Sequence, residues 1–461
     1  MSNHKHILMK WLLALLAGII ATFASLAQEP IKVTGPAKVE VRQADGRWRL
    51  YVNHQPFYIK GAGIEFGSPE KLRDHGGNSL RTWSTDNGRD TGKQVLDWAF
   101  SNGLYVAMGL DVDHERRGFD YNDTNAVAKQ LALLKSQVLE YRNHPALLLW
   151  VVGNELNFEK NPKVWDAVND LSRMIHELDP NHPTTTTLSG FQPGTVNLVR
   201  TRAPDLDFIS FQMYSDIINL PKYLREAAWG KPYIVTEWGA TGHWECGKTA
   251  WGAPIENDST TKANLYEKRF RAVIEPDQKL CLGSYVFLWG NKQERTPTWY
   301  GLFLSSGEET APVDVMHFLW TGNWPTNRSP RLEGAWLDGK NALQNIRLQS
   351  GQIYTAKVVA SDPDHDSLTY RWEVMPESTE IKIGGDAELK PAPVADLISA
   401  PTQKEISLQA PHKAGAYRLF TYVFDGQGHA AHANIPFYVN DSTGDQQLSA
   451  TVGPPLTSSA H

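Results

Sequence analysis

The sequence predicts an α/β protein: a (β/α)8 TIM barrel followed by a C-terminal immunoglobulin-like β-sandwich. Three observations carry this prediction. Eight short β-branched or aromatic runs alternate with helical periodicities between Tyr58 and Asn323. After Pro325 the helical period gives way to two-residue alternation. At 461 residues the chain can also hold a barrel of roughly 250 residues beside a second unit. A doubly wound open sheet shows the same alternation, but its glycine fingerprint is missing.

The first segment stands apart from the fold. Lys5 and Lys10 precede an apolar run from Trp11 to Leu26, and Ser25-Leu26-Ala27 offers small residues at cleavage offsets. Residues 1–27 therefore read as a secretory signal peptide, removed after Ala27. The run is shorter than the ~20 residues of a membrane anchor and is interrupted by Gly18, Thr22 and Ser25. Residues 28–57 should hold a hairpin, Val39–Val52, turning at Asp45-Gly46 and closing the barrel floor.

Residues 58–328 should form the barrel. Strands are expected at Tyr58–Ile64, Ser79–Trp83, Tyr105–Val112, Ala146–Val152, Thr184–Leu188, Phe208–Tyr214, Tyr233–Glu237 and Gly283–Trp289. Between them Val127, Leu131, Leu134, Val138 and Tyr141 recur at helical spacing, as do Val164, Val168, Leu171, Ile175 and Leu178. The second of these helices should stop at Asp179-Pro180, because proline has no N–H to donate. Residues 329–441 alternate through Tyr354, Ala356 and Val358, then Leu368, Tyr370, Trp372 and Val374, and finally Ile435, Phe437 and Val439. That pattern indicates a β-sandwich. Residues 442–461 are rich in Gly, Pro, Ser and Thr and read as a disordered tail.

Composition excludes several functions. Lys+Arg number 45 against 51 Asp+Glu, a net charge of -6, so the basic footprint of a nucleic-acid binder is missing. No second apolar stretch approaches membrane length, and the mature protein is expected to be an exported, soluble monomer without stable membrane insertion. Cys246 and Cys281 are too few for a disulfide framework or a closed zinc site. The 16 Trp, matched by 16 Tyr and 16 Phe, can fill a core or stack on sugar rings.

In TIM barrels the strand C-terminal ends build the active site. Strand four ends in Gly153-Asn154-Glu155 and strand seven in Glu237-Trp238-Gly239. Two carboxylates thus face each other across one barrel mouth, the arrangement that glycoside hydrolysis needs. Each directly follows an apolar run, where an idle charge would cost desolvation. A surface glutamate in an ion pair is the plainer alternative.

Gly153-Asn154-Glu155 and Thr236-Glu237-Trp238-Gly239 resemble the acid/base and nucleophile signatures of clan A glycoside hydrolases. The stretch from Tyr51 to Gly61 resembles the entry to the first strand of family 2-type catalytic domains. The resemblance covers roughly residues 45 to 323. Jelly-roll domains typical of full family 2 enzymes are missing, and a bare barrel with an immunoglobulin-like module is more similar to family 158 endo-β-1,3-glucanases.

The resemblance implies a retaining β-glycoside hydrolase that works by Glu/Glu double displacement without cofactor or metal. Its substrate would be a polysaccharide or oligosaccharide, with endo-action on a β-1,3-glucan favoured. A β-glucan transglycosidase and a non-catalytic carbohydrate-binding protein are the alternatives. Residue by residue, it implies Glu155 as acid/base, Glu237 as nucleophile and Asn154 as a donor to the sugar 2-hydroxyl. Arg81 and Tyr214 would attend the nucleophile. Trp289 would floor the central subsite, with a cis peptide at Trp289–Gly290. Leu156 stands where the clan usually has proline.

Farther out, Trp83, Trp238, Trp244, Trp251, Trp299 and Tyr300 could offer stacking faces. Asp86, Asn87, Asp113, His114, Gln293 and Glu294 could contact hydroxyls. Asp111, Asp113 and His114 also resemble a small metal cluster, although the implied chemistry needs none. Gly242 to Thr249 spells a phosphate-loop pattern, which is refused because Ala250-Trp251-Gly252-Ala253-Pro254 does not start the helix that pattern requires. Asp362-Pro363-Asp364-His365-Asp366 could bind Ca²⁺ or form a solvated acidic turn.

Overall fold

The computed structural model describes residues 35–380, 382 and 385–441. The expected signal peptide and tail lie outside these residues. The described chain opens with β1 (Val39–Ala44), β2 (Arg47–Val52) and β3 (Gln55–Phe57), a three-stranded antiparallel sheet. Ala44 pairs with Arg47, and Asp45 and Gly46 between them have φ of 50° and 72°. Two consecutive positive φ values make the tight turn whose twist matches paired strands. The apolar face of this sheet, Ala37, Val39, Leu50 and Val52, packs on Ile59, Leu149, Val151, Phe208 and Ile234 and seals the barrel floor.

Eight parallel strands then close on themselves: β4 (Ile59–Gly63), β5 (Ser79–Arg81), β6 (Tyr105–Leu110), β7 (Leu147–Asn154), β8 (Thr184–Ser189), β9 (Phe208–Gln212), β10 (Tyr233–Gly239) and β11 (Cys281–Phe287). A helix follows each: α1 (Pro69–Asp74), α2 (Gly92–Ser101), α3 (Thr124–Tyr141), α4 (Val164–Leu178), α5 (Pro193–Arg202), α6 (Leu220–Glu226), α7 (Ser259–Arg269) and α8 (Ala311–Thr321). This is a (β/α)8 barrel, and every expected strand overlaps an observed one. Side chains of Ser68, Thr91, Asp123 and Asp258 accept backbone N–H groups at the starts of α1, α2, α3 and α7, which satisfies donors that a helix cannot pair internally. Helix α4 ends at Leu178, directly before Asp179-Pro180.

The later strands form two sheets. One runs β12 (Glu309–Thr310), β20 (His429–Asn440), β19 (Gly415–Phe424) and β16 (Thr369–Pro376), with β14 (Ile346–Gln349) also on β20. The other runs β13 (Arg331–Leu337), β15 (Ile353–Ser361), β18 (Glu405–Gln409) and β17 (Ile398–Ser399). Their alternating apolar residues, among them Leu332, Val358, Trp372, Ile406, Leu419 and Phe437, meet in one core. Strand β12 lies before α8, so the barrel lends a strand to the first sheet. Further bonds cross the seam: Leu332 N–H to Thr260 Oγ1 at 2.8 Å and His432 N–H to Ser259 Oγ at 3.0 Å.

Asp362 Oδ1 accepts the N–H groups of Asp364 and Asp366, and carboxylate oxygens of Asp362, Asp366 and Asp425 lie within 4.8 Å of one another, so the turn keeps both of its expected readings. Lys248 sits in a β-bridge with Pro254 rather than at a helix start. Cys246 and Cys281 are both free. Among the described residues no helix is long and apolar enough to cross a membrane.

Candidate active site

The strand C-terminal ends open into a cleft of about 980 Å3 that both Glu155 and Glu237 line. Glu237, near the end of β10, is buried. Its Oε1 accepts from Arg81 Nη1 at 2.6 Å, Trp83 Nε1 at 2.8 Å and Gln212 Nε2 at 3.0 Å. Tyr214 OH donates to Oε2 at 2.9 Å. Four donors from β5, its following loop and the end of β9 thus converge on one carboxylate, fixing its direction toward the cleft. Burial, followed by the Glu237 charge, keeps the Tyr214 hydroxyl protonated far above neutral pH.

Arg81 is fully buried and ties the site together. Its Nη2 donates to Asn154 Oδ1 at 2.6 Å, and Gln212 Nε2 donates to the same oxygen at 2.7 Å. With Oδ1 so occupied, Asn154 presents its Nδ2 donor on the cleft it lines. Trp83 reaches Glu237 because Gly63 has no side chain. A Cβ there would lie 2.7 Å from the Trp83 ring.

Glu155 stands just past β7 in a left-handed conformation, φ 53°, with its N–H donating to Thr187 O at 3.0 Å. Gly153 ahead of it has φ 75°, and a Cβ there would lie 2.4 Å from Leu156 Cδ1. Glycine at this position therefore lets Leu156 pack inward while Glu155 turns to the cleft. Burial first, and then the Glu237 charge, raise the Glu155 carboxyl to about 8, against a hydrogen bond from Ser189 and the Arg81 charge. One carboxyl is held protonated beside another whose oxygens accept from four donors. This division of roles suits an acid and a nucleophile.

A pH profile follows. If Glu155 must carry a proton, kcat/KM is intact below its raised pKa and falls as pH climbs through about 8. Because the two carboxyls interact, that limb belongs to the pair. Glu155→Gln should remove it, measured on an activated glycoside that needs no acid assistance.

Several expected contacts lie elsewhere. Glu237 points inward from β10, so its neighbour Trp238 points outward and packs on Tyr266 and Phe270. Trp289 is fully buried behind the cleft, donating to Ser68 O and packing on Phe303 and Trp320. The cis peptide lies at Phe287–Leu288, not at Trp289–Gly290. Phe287, the last residue of β11, is the aromatic that reaches the cleft, edge-on to Trp83 and Tyr214. Trp299 is buried, donating to Thr241 O, and Tyr300 bonds His243 N–H. Trp251 packs on Tyr438. Asp86 accepts the Gly92 N–H at the start of α2 and is not on the cleft wall.

Other expected residues do line the cleft. Trp83 does so as a donor to Glu237, while His114 is fixed by Glu159 at 2.6 Å. Asn87, Asp111 and Glu294 also contribute, Asp111 paired with Arg117. Trp244 is 56% exposed, edge-on to Tyr214, and offers an open aromatic face. Phe66, Trp98 and Phe158 are likewise exposed along the cleft and were not anticipated. Gln212 was missed too, although Ser210, Gln212 and Tyr214 recur at every second position between apolar residues, the spacing of one inward face.

Residues 91–258, which include both glutamates, match the family model for the glycosyl hydrolases family 2 TIM barrel domain. The Arabidopsis thaliana protein named Putative mannan endo-1,4-beta-mannosidase 4 is 25% identical over 143 residues, covering 28% of this chain and 34% of that protein. The chain thus spans about a third of that relative's length. Among solved structures, a Bacteroides uniformis beta-glucuronidase superposes with a TM-score of 0.47 at 13% identity, over 87% of this chain and 48% of that one. A family 5 mannosidase from Rhizomucor miehei gives 0.45 at 14%, over 61% and 96%. The segment that carries Glu155 and Glu237 is therefore similar in sequence to a glycoside hydrolase TIM-barrel domain.

Proposed function

We propose that the protein is an exported retaining β-glycoside hydrolase, endo-acting on a neutral β-glucan such as a β-1,3-glucan. The observation that supports this best is the asymmetry of the pair: Glu237 is held by four donors, and Glu155 keeps its proton to about pH 8. Glu155 gives that proton to the glycosidic oxygen as the bond breaks, while Glu237 attacks the anomeric carbon to form a glycosyl ester. Esterification removes the Glu237 charge, so Glu155 loses part of what raised it and can then act as a base. It takes a proton from water, whose oxygen attacks the anomeric carbon and releases Glu237. Arg81, Trp83, Gln212 and Tyr214 keep the departing carboxylate in line. The Asn154 amide offers a donor to the neighbouring hydroxyl, a contact that strengthens in the transition state. Exposed aromatic faces at Phe66, Trp98, Phe158 and Trp244 suit several successive sugar rings.

Proton NMR of the first product tests the mechanism: β-configured reducing ends support it, and α-configured ones overturn it. Assay against β-glucans, mannans, galactans and aryl glucuronides tests the substrate. Sequencing the N-terminus of exported protein tests removal of residues 1–27.

A further inference from the structure

Besides Glu155 and Glu237, a further buried carboxyl lines the cleft. Glu294, in the loop after β11, is buried except where it lines that cavity, and its charge is felt by both Glu155 and Tyr214. Its charged partner is Lys292, with Nζ at 3.2 Å, and the His243 ring stands farther off with Nε2 at 3.7 Å, against 2.6 Å from Arg81 to Glu237. Burial, with the charges of Arg295 and Lys248, also keeps His243 neutral down to about pH 4. Burial raises the Glu294 carboxyl above its ordinary range, against the charge and hydrogen bond of Lys292. With Lys292 as its charged partner, its oxygens retain acceptor capacity that a ligand can use.

The backbone beneath Glu294 is held from outside the barrel. Arg295 has φ 63°, a conformation that residues with a Cβ rarely adopt. Its N–H donates to Glu388 Oε2 at 2.6 Å, and its guanidinium lies 3.4 Å from Glu388 Oε1. Lys292 Nζ donates to Gly385 O at 2.5 Å. Glu388 and Gly385 belong to the C-terminal unit, between β16 and β17. Lys382 and Asp386 of that unit line the same cleft, and Asp386 lies 3.6 Å from Arg116 in the loop after β6.

Resting on the glycosidase reading above, we propose that Glu294 binds hydroxyls of a neutral pyranose beside the scissile bond. Glu388 of the C-terminal unit is the positioning residue that holds it there. A carboxyl group so placed can take up hydrogen bonds from two neighbouring hydroxyls of one ring. The C-terminal unit is then part of substrate recognition rather than a buttress.

The test compares wild type, Glu294→Gln, Glu388→Gln and the double variant on the best oligosaccharide and on an aryl β-glycoside, with melting temperatures alongside. Glu294→Gln should lower kcat/KM on the oligosaccharide by roughly 10- to 100-fold, the scale of a lost hydrogen bond to a charged group, mainly through KM. Glu388→Gln should move the same parameter in the same direction. The double variant should be no worse than Glu294→Gln, because both changes act through one contact. Should Glu388→Gln fail to fold, Glu388→Asp keeps the charge but withdraws it from the Arg295 N–H, and is read in the same way. Wild-type turnover with Glu294→Gln within twofold of it overturns this inference alone, and so does full additivity of the two changes. A wild type that cleaves no glycoside overturns the underlying reading.

Discussion

Glu237→Gln should abolish turnover, lowering kcat by roughly 10⁵-fold or more, the scale of deleting a covalent nucleophile. The substitution can be accommodated. A glutamine with its oxygen toward Arg81, Trp83 and Gln212 keeps three of the four donors, and the Tyr214 hydroxyl can rotate to accept from the new amide. A melting curve separates lost fold from lost chemistry. Glu155→Gln should behave differently. It removes the proton donor but leaves the nucleophile, so glycosides with good leaving groups should still form the glycosyl ester and then stall. Azide, a small anion that needs no general base, should restore breakdown and give a β-glycosyl azide. If azide instead rescues Glu237→Gln with retained configuration, the two roles are exchanged. If neither variant loses activity on a natural substrate, the pair is not the catalytic machinery.

What could be read in the sequence followed from chain-local physics. Apolar β-branched runs locate barrel strands because both faces of such a strand are buried. A glutamate directly after such a run is conspicuous because charge at a buried edge needs a reason. Strand ends were harder to read. β11 stops at Phe287, two residues before Trp289, so the residue that the resemblance made the floor of the central subsite lies beyond the strand, and Phe287 lines the cleft instead. Trp83, read as an outer stacking face, turns inward only because Gly63 on a neighbouring strand clears the way. Partners distant along the chain left no local signal at all. Glu388 meets Arg295 across 93 positions, and nothing around Glu388 marks it as part of an active-site wall.

Lys262→Met should cost about 3–5 kcal/mol, the penalty of leaving a buried charge without its partner, and lower Tm by on the order of 10 °C. Lys262 and Glu256 are both buried and 2.6 Å apart. Glu256 also accepts from Thr296 Oγ1 at 2.6 Å and from Asn434 Nδ2 at 2.5 Å, so the pair sits where the barrel meets β20. Burial alone would push the Glu256 carboxyl up. The Lys262 charge, with hydrogen bonds from Lys262 and Thr296, holds it down at about 2. Because the folded value is depressed, the stability it contributes is present above the ordinary carboxylate pKa of about 4.3 and is lost as pH falls through about 2. The gap between wild type and Lys262→Met should therefore be widest near neutral pH and close on acidification. Glu256→Gln with Lys262→Met should recover most of the loss, since a neutral amide asks less of its surroundings than a lone carboxylate. The single variant should also weaken the bond to Asn434 that joins the units, separating one calorimetric transition into two. A Lys262→Met protein that melts like wild type would show that the seam is held instead by the Glu309–His429 and Arg418–Pro254 contacts.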